Sequence, residues 1–395
     1  MSCLTSLEVR SDGAVHEAKN AGQQMKVLLV IYRDSERAGG SVRVAETLVR
    51  SLRGRSICID VVAAYGGAGR IAEIVGSRFH ALGAQSRHDI RAWARYRRLL
   101  GRLKPDIMHS IDPVVWMSLA SLGLPPKRIL HQHCRPYFGT PSGTPSLASR
   151  WMLGRADKVV AIAHGVSRSL STLYKLDRNR IEVVHNAVDS AYLQHLPVAA
   201  GGLRRLGMAV RVVADKGIED AFALLDLLPQ HFILTIAGDG PAKDTLQSLA
   251  HQRGLGGRVE WLGSVSDISR FYSIIDYYLF MSWYECFGLS VAEAMLSGRP
   301  VVGLLGDGEI AEPEYPLVTP QNAALIPRSA PQRFYHERDI ETFRKLAWKI
   351  LQLEANESQR RELVECGKTW TMERFSPQRH GQRMFDIYQS VLDKT

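Results

Sequence analysis

The sequence predicts an α/β protein made of two doubly wound, parallel-sheet domains. Short apolar segments alternate with amphipathic segments of helical period, and this alternation starts again after a stretch at 193–206 that contains Pro and Gly-Gly. The length of 395 residues lets each of two domains bury a full core. Charge is also divided: residues 1–195 hold 28 Lys and Arg against 15 Asp and Glu, whereas residues 196–395 hold 22 against 25. The basic half favours an anionic partner, which includes nucleic acid, a membrane surface or an acidic substrate.

In the first half, short apolar runs predict strands and longer amphipathic segments predict helices. The strands are expected at 26–32, 56–65, 106–111, 127–133, 157–163 and 181–187, and helices at 42–52 and 90–103. Pro105 ends the second of these helices. Because strands and helices alternate, the sheet is expected to be parallel with helices on both faces.

The second half repeats this pattern after the stretch at 193–206, which is expected to be a linker. Strands are predicted at 208–214, 231–237, 259–263, 276–282 and 300–305, and helices at 217–228, 242–254, 268–275, 290–298, 341–355 and 377–392. The predicted domains are 25–200 and 201–375, followed by a C-terminal helix at 376–395 that is expected to cross back to the first domain. Residues 1–24 are expected to be a poorly ordered extension.

Composition excludes several classes of protein. Apolar residues make up 45% and charged residues 23%, which is typical of globular proteins. Five scattered cysteines without a CxxC pair exclude a disulfide framework and a zinc ribbon, and they favour a reducing compartment. The N-terminus lacks the apolar core of a signal peptide, and no apolar run approaches the ~18–20 residues that span a bilayer. A cytoplasmic location is therefore expected.

The segment 276–303 carries most of the chemical information. A predicted strand ends near Ser282, a loop follows, and a helix is expected to start with Ser290 as its N-cap and to stop at Gly298. Parallel sheets bind ligands at the carboxyl ends of their strands, and free N–H groups at a helix N-terminus favour anions. A diphosphate site in a cleft between the two domains is therefore expected.

Two carboxylates in this segment differ in how they can be interpreted. Ser290 and Glu293 have the spacing of a capping box, in which Glu293 would only satisfy a backbone N–H. Glu285 lies in a loop beside aromatic residues and has no local cap to make. Glu285 is therefore the stronger candidate for a functional residue.

Glu285 and Glu293 form an E-x7-E pair in the context YECFGLSVAEAMLSGRPVV, which resembles the retaining glycosyltransferases of family 4. Other segments resemble that family in the same order along roughly 25–310. They are AGGSVRVAETL, KPDIMHSI, ADKVVAIAHGVSRSL, IEVVHNAVD, VRVVADKG and LTIAGDGPAKDTL. The segment GDGEIAE at 306–312 departs from the family pattern, because Glu309 stands where a Gly is usual.

The resemblance implies a GT-B fold, with two Rossmann-like domains facing a deep cleft. The first domain would bind the acceptor and the second a nucleotide sugar. The implied activity is transfer of a hexose-type sugar, with retention, from a UDP- or GDP-sugar to a glycan or lipid-linked saccharide in polysaccharide or glycolipid biosynthesis. The sequence has no D-x-D motif, so no metal is expected, and no cofactor is expected besides the donor. It contains no recognised nucleic-acid-binding module, so nucleic acid is not expected as a partner.

The resemblance also assigns roles to individual residues. Arg211 and Lys216 would bind the diphosphate, Glu293 the ribose hydroxyls, and Glu285 the donor sugar near the reacting carbon. The implied catalytic residues are Glu285, His133, Arg211 and Lys216, and the remaining donor-binding residues are Gly39, Gly40, Gly238, Phe287, Gly288, Leu289 and Glu293. Simpler interpretations remain open: solvated cations, a Gly-Gly turn, and a structural histidine.

His131 and His133 lie two residues apart on one predicted strand and so share a face. Metal binding is one interpretation, although no third ligand is evident. The family places a histidine at the end of this strand, and strand length favours His133 over His131. The turn Gly238-Asp-Gly-Pro lacks the full G-x-G-x-x-G pattern, so a dinucleotide site is not expected.

Four arginines recur at helical spacing in the predicted helix at 90–103. Arg91, Arg95, Arg98 and Arg102 form either a solvated basic face or a surface for an acidic glycan or anionic lipid at the inner face of the membrane. Other functions remain open for the chain as a whole. They are a non-catalytic nucleotide-sugar-binding subunit, or another GT-B enzyme such as an epimerase or a phosphorylase.

Overall fold

The structure is a computed structural model that describes residues 24–34, 39–112, 114–124, 126–133, 146–189, 193, 202–308, 316–328 and 339–393. The expected N-terminal extension, apart from residue 24, lies outside these residues, and so do Glu309 and the rest of the 306–312 segment after Gly308. The element order is strand and helix in alternation, as predicted.

The first domain is built on a parallel sheet that has seven strands among the described residues. They are β1 (Met25–Ile31), β2 (Ile57–Ala63), β3 (Phe79–Ala81), β4 (Ile107–Ile111), β5 (Lys127–Gln132), β6 (Lys158–Ala161) and β7 (Ile181–Val183). Their order in the sheet is β3-β2-β1-β4-β5-β6-β7. The helices are α1 (Gly40–Ser51), α2 (Arg70–Val75), α3 (Ile90–Leu103), α4 (Val115–Ala120), α5 (Leu147–Gly154) and α6 (His164–Tyr174). The reversal of strand order beside β1 places the carboxyl ends of β1 and β4 at a switch point.

The second domain contains another parallel sheet. Its strands are β8 (Arg204–Ala209), β9 (Phe232–Ala237), β10 (Val259–Gly263), β11 (Tyr277–Phe280), β13 (Val301–Leu305) and β15 (Ala324–Pro327), in the order β10-β9-β8-β11-β13-β15. A short parallel pair, β12 (Tyr284–Glu285) with β14 (Asp307–Gly308), lies outside this sheet. The helices are α7 (Ile218–Leu227), α8 (Lys243–Gln252), α9 (Ile268–Ile274), α10 (Leu289–Leu296), α11 (Ile340–Ala355) and α12 (Glu357–Arg374).

The last helix, α13 (Pro377–Leu392), packs against α1 of the first domain. Its apolar side chains Met384, Ile387 and Val391 join the core that lies beneath β1 and β2. Tyr388 is fully buried there, and its hydroxyl lies 2.8 Å from Nδ1 of His109 on β4. The chain therefore runs from the second domain back onto the first.

Two predictions about local structure are wrong. The first strand of the second domain spans Arg204–Ala209, not 208–214, and it takes up the end of the expected linker at 193–206. Most of the rest of that linker lies outside the described residues. The prediction was wrong because an apolar run follows Ala209. Val210 and Val212 in that run belong to the loop at the carboxyl end of the strand, and Val212 is buried there.

The N-cap of α10 is Gly288 and not Ser290, and the helix ends at Leu296. Gly288 adopts φ 84°, a left-handed conformation that glycine reaches without strain. The Ser290 hydroxyl instead accepts a 2.6 Å hydrogen bond from the Tyr278 hydroxyl. The capping-box interpretation of Glu293 is therefore wrong.

Candidate active site

A cleft of about 1330 Å³ lies between the carboxyl ends of the two sheets. Loops after β1, β4 and β5 line it from the first domain, and loops after β8, β9 and β11 line it from the second. This is the position that two facing doubly wound domains dictate for a ligand site.

The residues that the resemblance assigned to the donor and to catalysis all line this cleft. They are Gly39, Gly40, His133, Arg211, Lys216, Gly238, Glu285, Phe287, Gly288, Leu289 and Glu293. Because these residues come from both domains, cations, carboxylates and a helix N-terminus surround one cavity. A Cβ on Gly40 would lie 2.9 Å from the Leu289 side chain, so the two domains contact each other at this loop.

Lys216 and Glu285 form an ion pair in the cleft. The Lys216 ammonium lies 3.0 Å from Oε2 of Glu285, and both side chains are partly buried. Gly217, with φ 68°, makes the turn after Lys216, and a Cβ there would lie 2.1 Å from the Met281 carbonyl oxygen. The glycine therefore lets the Lys216 loop approach the loop that carries Glu285.

The Arg328 side chain also holds the loop that precedes Glu285. The Arg328 guanidinium lies 2.9 Å from Oδ2 of buried Asp220, donates to the Met281 carbonyl, and stacks 3.9 Å from the ring of Trp283. Sequence reasoning missed Arg328, because no local pattern links it to a loop about 45 residues earlier in the chain. It holds the loop that carries Glu285 in place.

Arg211 is exposed and follows β8 on the cleft side. Gly238, at the end of β9, has φ 146°, and a Cβ on it would lie 1.8 Å from the Val210 carbonyl oxygen. A Cβ on Gly240 would lie 2.2 Å from the Val212 carbonyl oxygen. The GDGP turn thus allows the loop after β8, with Arg211, to lie directly against the end of β9.

Glu293 is buried at the inner end of the cleft, where its two oxygens have different partners. The Arg43 guanidinium of α1 donates to Oε1, and the Tyr272 hydroxyl of α9 donates to Oε2 at 3.0 Å. Burial, followed by the nearby Glu293 carboxylate, raises the pKa of Tyr272, so Tyr272 remains a donor. Sequence reasoning missed Arg43, although it lies three residues after the Gly-Gly pair.

His133 lines the cleft, whereas His131 is fully buried behind it. Burial lowers the pKa of His133, and the Asp112 carboxylate opposes this effect. The His131 ring stacks on His109 at 5.4 Å and lies 4.4 Å from the His133 ring and 6.4 Å from the His380 ring. Burial lowers the pKa of these rings too, to about 3 for His109 and about 4 for His380. A stack of neutral imidazoles therefore supports His133.

Three acidic and aromatic residues that sequence reasoning missed also line the first-domain side. Tyr32, Asp34 and Asp112 lie just after β1 and β4. Asp34 is buried; its Oδ2 accepts from the amides of Gly69 and Ala72, and its Oδ1 has no hydrogen-bond partner among the residues that the structure describes. The sequence signal that could have found these three residues is their position directly after a predicted strand. These residues give the first-domain wall hydrogen-bond acceptors.

The four arginines of α3 are not among the residues that line the cleft. Arg91, Arg98 and Arg102 are exposed, and Arg95 donates to the Leu82 carbonyl at 2.7 Å. Among the described residues, no cluster of His, Cys, Asp and Glu is arranged to hold a metal ion, and no helix is long and apolar enough to cross a membrane.

Comparison with known proteins identifies the family. A family model described as Glycosyltransferase Family 4 matches residues 38–192, and a model described as Glycosyl transferases group 1 matches residues 199–312. The chain belongs to the group 1 glycosyltransferases. The two matched regions correspond to the two walls of the cleft, and the resemblance read from the sequence is confirmed.

Curated relatives and solved structures agree with this assignment. The chain is 27% identical, over 228 residues, to the lipopolysaccharide core biosynthesis glycosyltransferase LpsE of Rhizobium meliloti, and the match covers 56% of this chain and 60% of LpsE. It is 25% identical to glycogen synthase of Mycobacterium tuberculosis, over 52% of this chain and 55% of that protein. The chain thus spans little more than half the length of these relatives.

Solved structures give the same fold. HepE of Anabaena in complex with UDP has a TM-score of 0.74 at 18% identity and covers 93% of this chain and 100% of its own. Sucrose-phosphate synthase of Thermosynechococcus elongatus also has a TM-score of 0.74, at 17% identity, with 94% and 100% covered. The expected GT-B fold of this group 1 glycosyltransferase, with two parallel-sheet domains, is therefore confirmed.

Proposed function

We propose that this protein is a retaining hexosyltransferase that moves a sugar from a UDP- or GDP-sugar to a glycan or lipid-linked saccharide. The observation that carries the proposal is that Arg211 and Lys216 face the same cavity as Glu285 and Glu293. HepE of Anabaena, whose fold this chain shares, has structures in complex with UDP and with UDP-glucose. LpsE and glycogen synthase suggest polysaccharide or glycolipid synthesis as the setting.

The cations would act on the leaving group. When the bond between the sugar and the diphosphate breaks, negative charge grows on the departing phosphate, and positive groups fixed there stabilise the transition state more than the ground state. Arg211 can hold two phosphate oxygens, and Lys216 supplies a compact charge. The protein's own cations would do this without a metal.

Glu285 would act on the donor sugar. Its Oε2 is held by Lys216 at 3.0 Å, which leaves the other carboxylate oxygen for sugar hydroxyls beside the reacting carbon. The Lys216 ammonium would thus bind Glu285 and the diphosphate together, so that the sugar and the leaving group are positioned by one ion pair. The amides of Phe287, Gly288 and Leu289, at the start of α10, would line the diphosphate.

His133 would lie on the acceptor side of the same carbon. Because burial lowers its pKa, the ring is neutral near pH 7 and can exchange hydrogen bonds with sugar hydroxyls without adding charge. In a front-face reaction the acceptor oxygen bonds to the anomeric carbon on the face from which the diphosphate leaves, which retains the anomeric configuration, and the departing phosphate takes the acceptor proton. Closure of the domains over the donor would exclude water.

A panel of UDP-, GDP-, ADP- and dTDP-sugars tests the proposal. A donor that binds the native protein raises its thermal midpoint, and each hit is then assayed for hydrolysis and transfer in EDTA. Glu285→Gln is expected to abolish transfer, whereas Glu357→Gln, on exposed α12, is the matched control. NMR of the product anomer reports retention. Binding without turnover toward any acceptor, or turnover that requires a metal, would contradict the proposal.

We also propose that the basic face of α3 contacts an anionic membrane surface. Arg91, Arg98 and Arg102 are exposed on this helix, and Ile90 at its first position is 81% exposed. Each cation near an anionic surface contributes about 1 kcal/mol at low salt. Sedimentation with anionic vesicles is expected to fall steeply with salt and to fail with neutral ones; equal, salt-insensitive binding to both would remove the idea.

A further inference from the structure

An ion pair between the two domains lies within the cleft and has no part in the proposed transfer step. Arg43 projects from α1 of the first domain and donates to Oε1 of Glu293 on α10 of the second. The side chain of Glu293 is 3% exposed and that of Arg43 is 35% exposed. Both residues line the cleft, so a ligand that enters the cavity meets them together.

Each oxygen of this carboxylate has a partner within the protein. Tyr272, which is fully buried, holds Oε2 from the interior, and Arg43 holds Oε1 from the cleft side. A buried carboxylate without such partners is strongly destabilised, so Arg43 compensates the charge of Glu293. Arg43 therefore occupies the side of Glu293 from which a pair of ligand hydroxyls would approach it in the cleft.

We propose that Arg43 is a positioning residue that competes with the donor ribose for Glu293. The inference rests on the proposed function, with Glu293 in the role that the family resemblance assigns to it, as the acceptor of hydrogen bonds from the ribose hydroxyls. Ribose binding then exchanges one charge-assisted hydrogen bond for hydrogen bonds to hydroxyls, and it breaks a contact between the two domains. The measured nucleotide affinity includes this exchange and is lower than the intrinsic affinity of the ribose site.

Competition at one carboxylate has a signature that other roles of Arg43 lack. If Arg43 only ties the domains together, or binds phosphate, its removal changes the affinity for every nucleoside diphosphate by one common factor. If it competes with ribose, its removal strengthens binding only for ligands that carry the ribose hydroxyls. A cycle that combines a protein substitution with removal of the ligand hydroxyls isolates this coupling.

The experiment measures, by calorimetry, the affinities of UDP, GDP and their 2′,3′-dideoxy forms for the wild type and for Arg43→Gln. The matched control is Arg50→Gln, on the same helix, where Arg50 pairs with Glu46 at the surface. The quantity compared is the ratio of the Kd of the dideoxy form to the Kd of the ribose form. This ratio is expected to be roughly 5- to 30-fold larger in Arg43→Gln than in the wild type, and unchanged in Arg50→Gln.

Arg43→Lys keeps the charge but loses the planar guanidinium, and it covers the case in which Arg43→Gln does not fold. A smaller increase of the ratio in the same direction is expected there. A ratio in the Arg43 variants that equals the wild-type ratio, or is smaller, overturns the competition. If the wild type binds none of the four ligands at millimolar concentration, the proposed function fails first, and the two failures are thereby distinguished.

Discussion

Acidification is expected to destabilise the first domain through its stacked histidines. His109 lies on β4, His131 on the adjacent β5 and His133 just after β5, and His380 of α13 completes the stack. Tyr388 contacts His109, the backbone carbonyl of His185 contacts His380, and the carboxylate of Asp112 faces His133. Apart from Asp112, these neighbours offer no negative charge to stabilise an imidazolium, so the folded state favours the neutral rings.

The magnitude of this destabilisation follows from the pKa values of His109 and His380. The pKa is about 3 for His109 and about 4 for His380 in the folded protein, compared with about 6.5 in an unfolded chain. Because the folded pKa is the lower one, the unfolded chain binds more protons below pH 6.5, and stability falls as the pH falls. Between pH 7 and pH 5 each ring removes about 2 kcal/mol from the free energy of unfolding. Together they remove about 4 kcal/mol, a large part of a typical total of 5–15 kcal/mol.

Urea unfolding followed by tryptophan fluorescence at pH 7, 6 and 5 measures this loss. His380→Gln is expected to reduce the change in unfolding free energy between pH 7 and pH 5 by about 2 kcal/mol, because glutamine binds no proton. His88→Gln is the control, since His88 is exposed. If the two variants show the same pH dependence as the wild type, the stack does not carry the acid sensitivity, and the reasoning is wrong.

Three further predictions concern the cleft. Arg211→Ala is expected to raise the activation barrier for transfer by about 3 kcal/mol and so to lower kcat. Full activity in steady-state assays would refute the role of Arg211 at the leaving group. Gly238→Ala places a Cβ 1.8 Å from a backbone oxygen at φ 146°, so nucleotide affinity and thermal midpoint are both expected to fall, whereas Gly257→Ala, with no atom within 4 Å, leaves them unchanged. Arg328→Met removes the guanidinium that pairs with the buried Asp220 carboxylate and is expected to destabilise the protein by about 3–5 kcal/mol in urea unfolding; adding Asp220→Asn should recover part of this loss, and no recovery would contradict the pairing.

The sequence alone determined the alternation of elements and the position of the site. The predicted helix at 90–103 and strand at 259–263 have the bounds found in the structure, because hydrophobic period and terminal residues are local properties. The E-x7-E segment was located by the strand and helix pattern around it, whereas Arg211 and Lys216 were identified through the family resemblance, and the strand predicted at 208–214 wrongly included Arg211. Each lies where a strand ends, and parallel topology brings such ends to one edge of a sheet.

The tertiary structure decided which of these residues touch. Arg43 and Glu293 are 250 positions apart, and no periodicity relates them. The N-cap of α10 is Gly288 and not the predicted Ser290, because the Ser290 hydroxyl bonds to the buried Tyr278 and a left-handed glycine starts the helix. Local propensity could not anticipate contacts made across two domains: they depend on how packed surfaces meet, and packing is set by the whole chain.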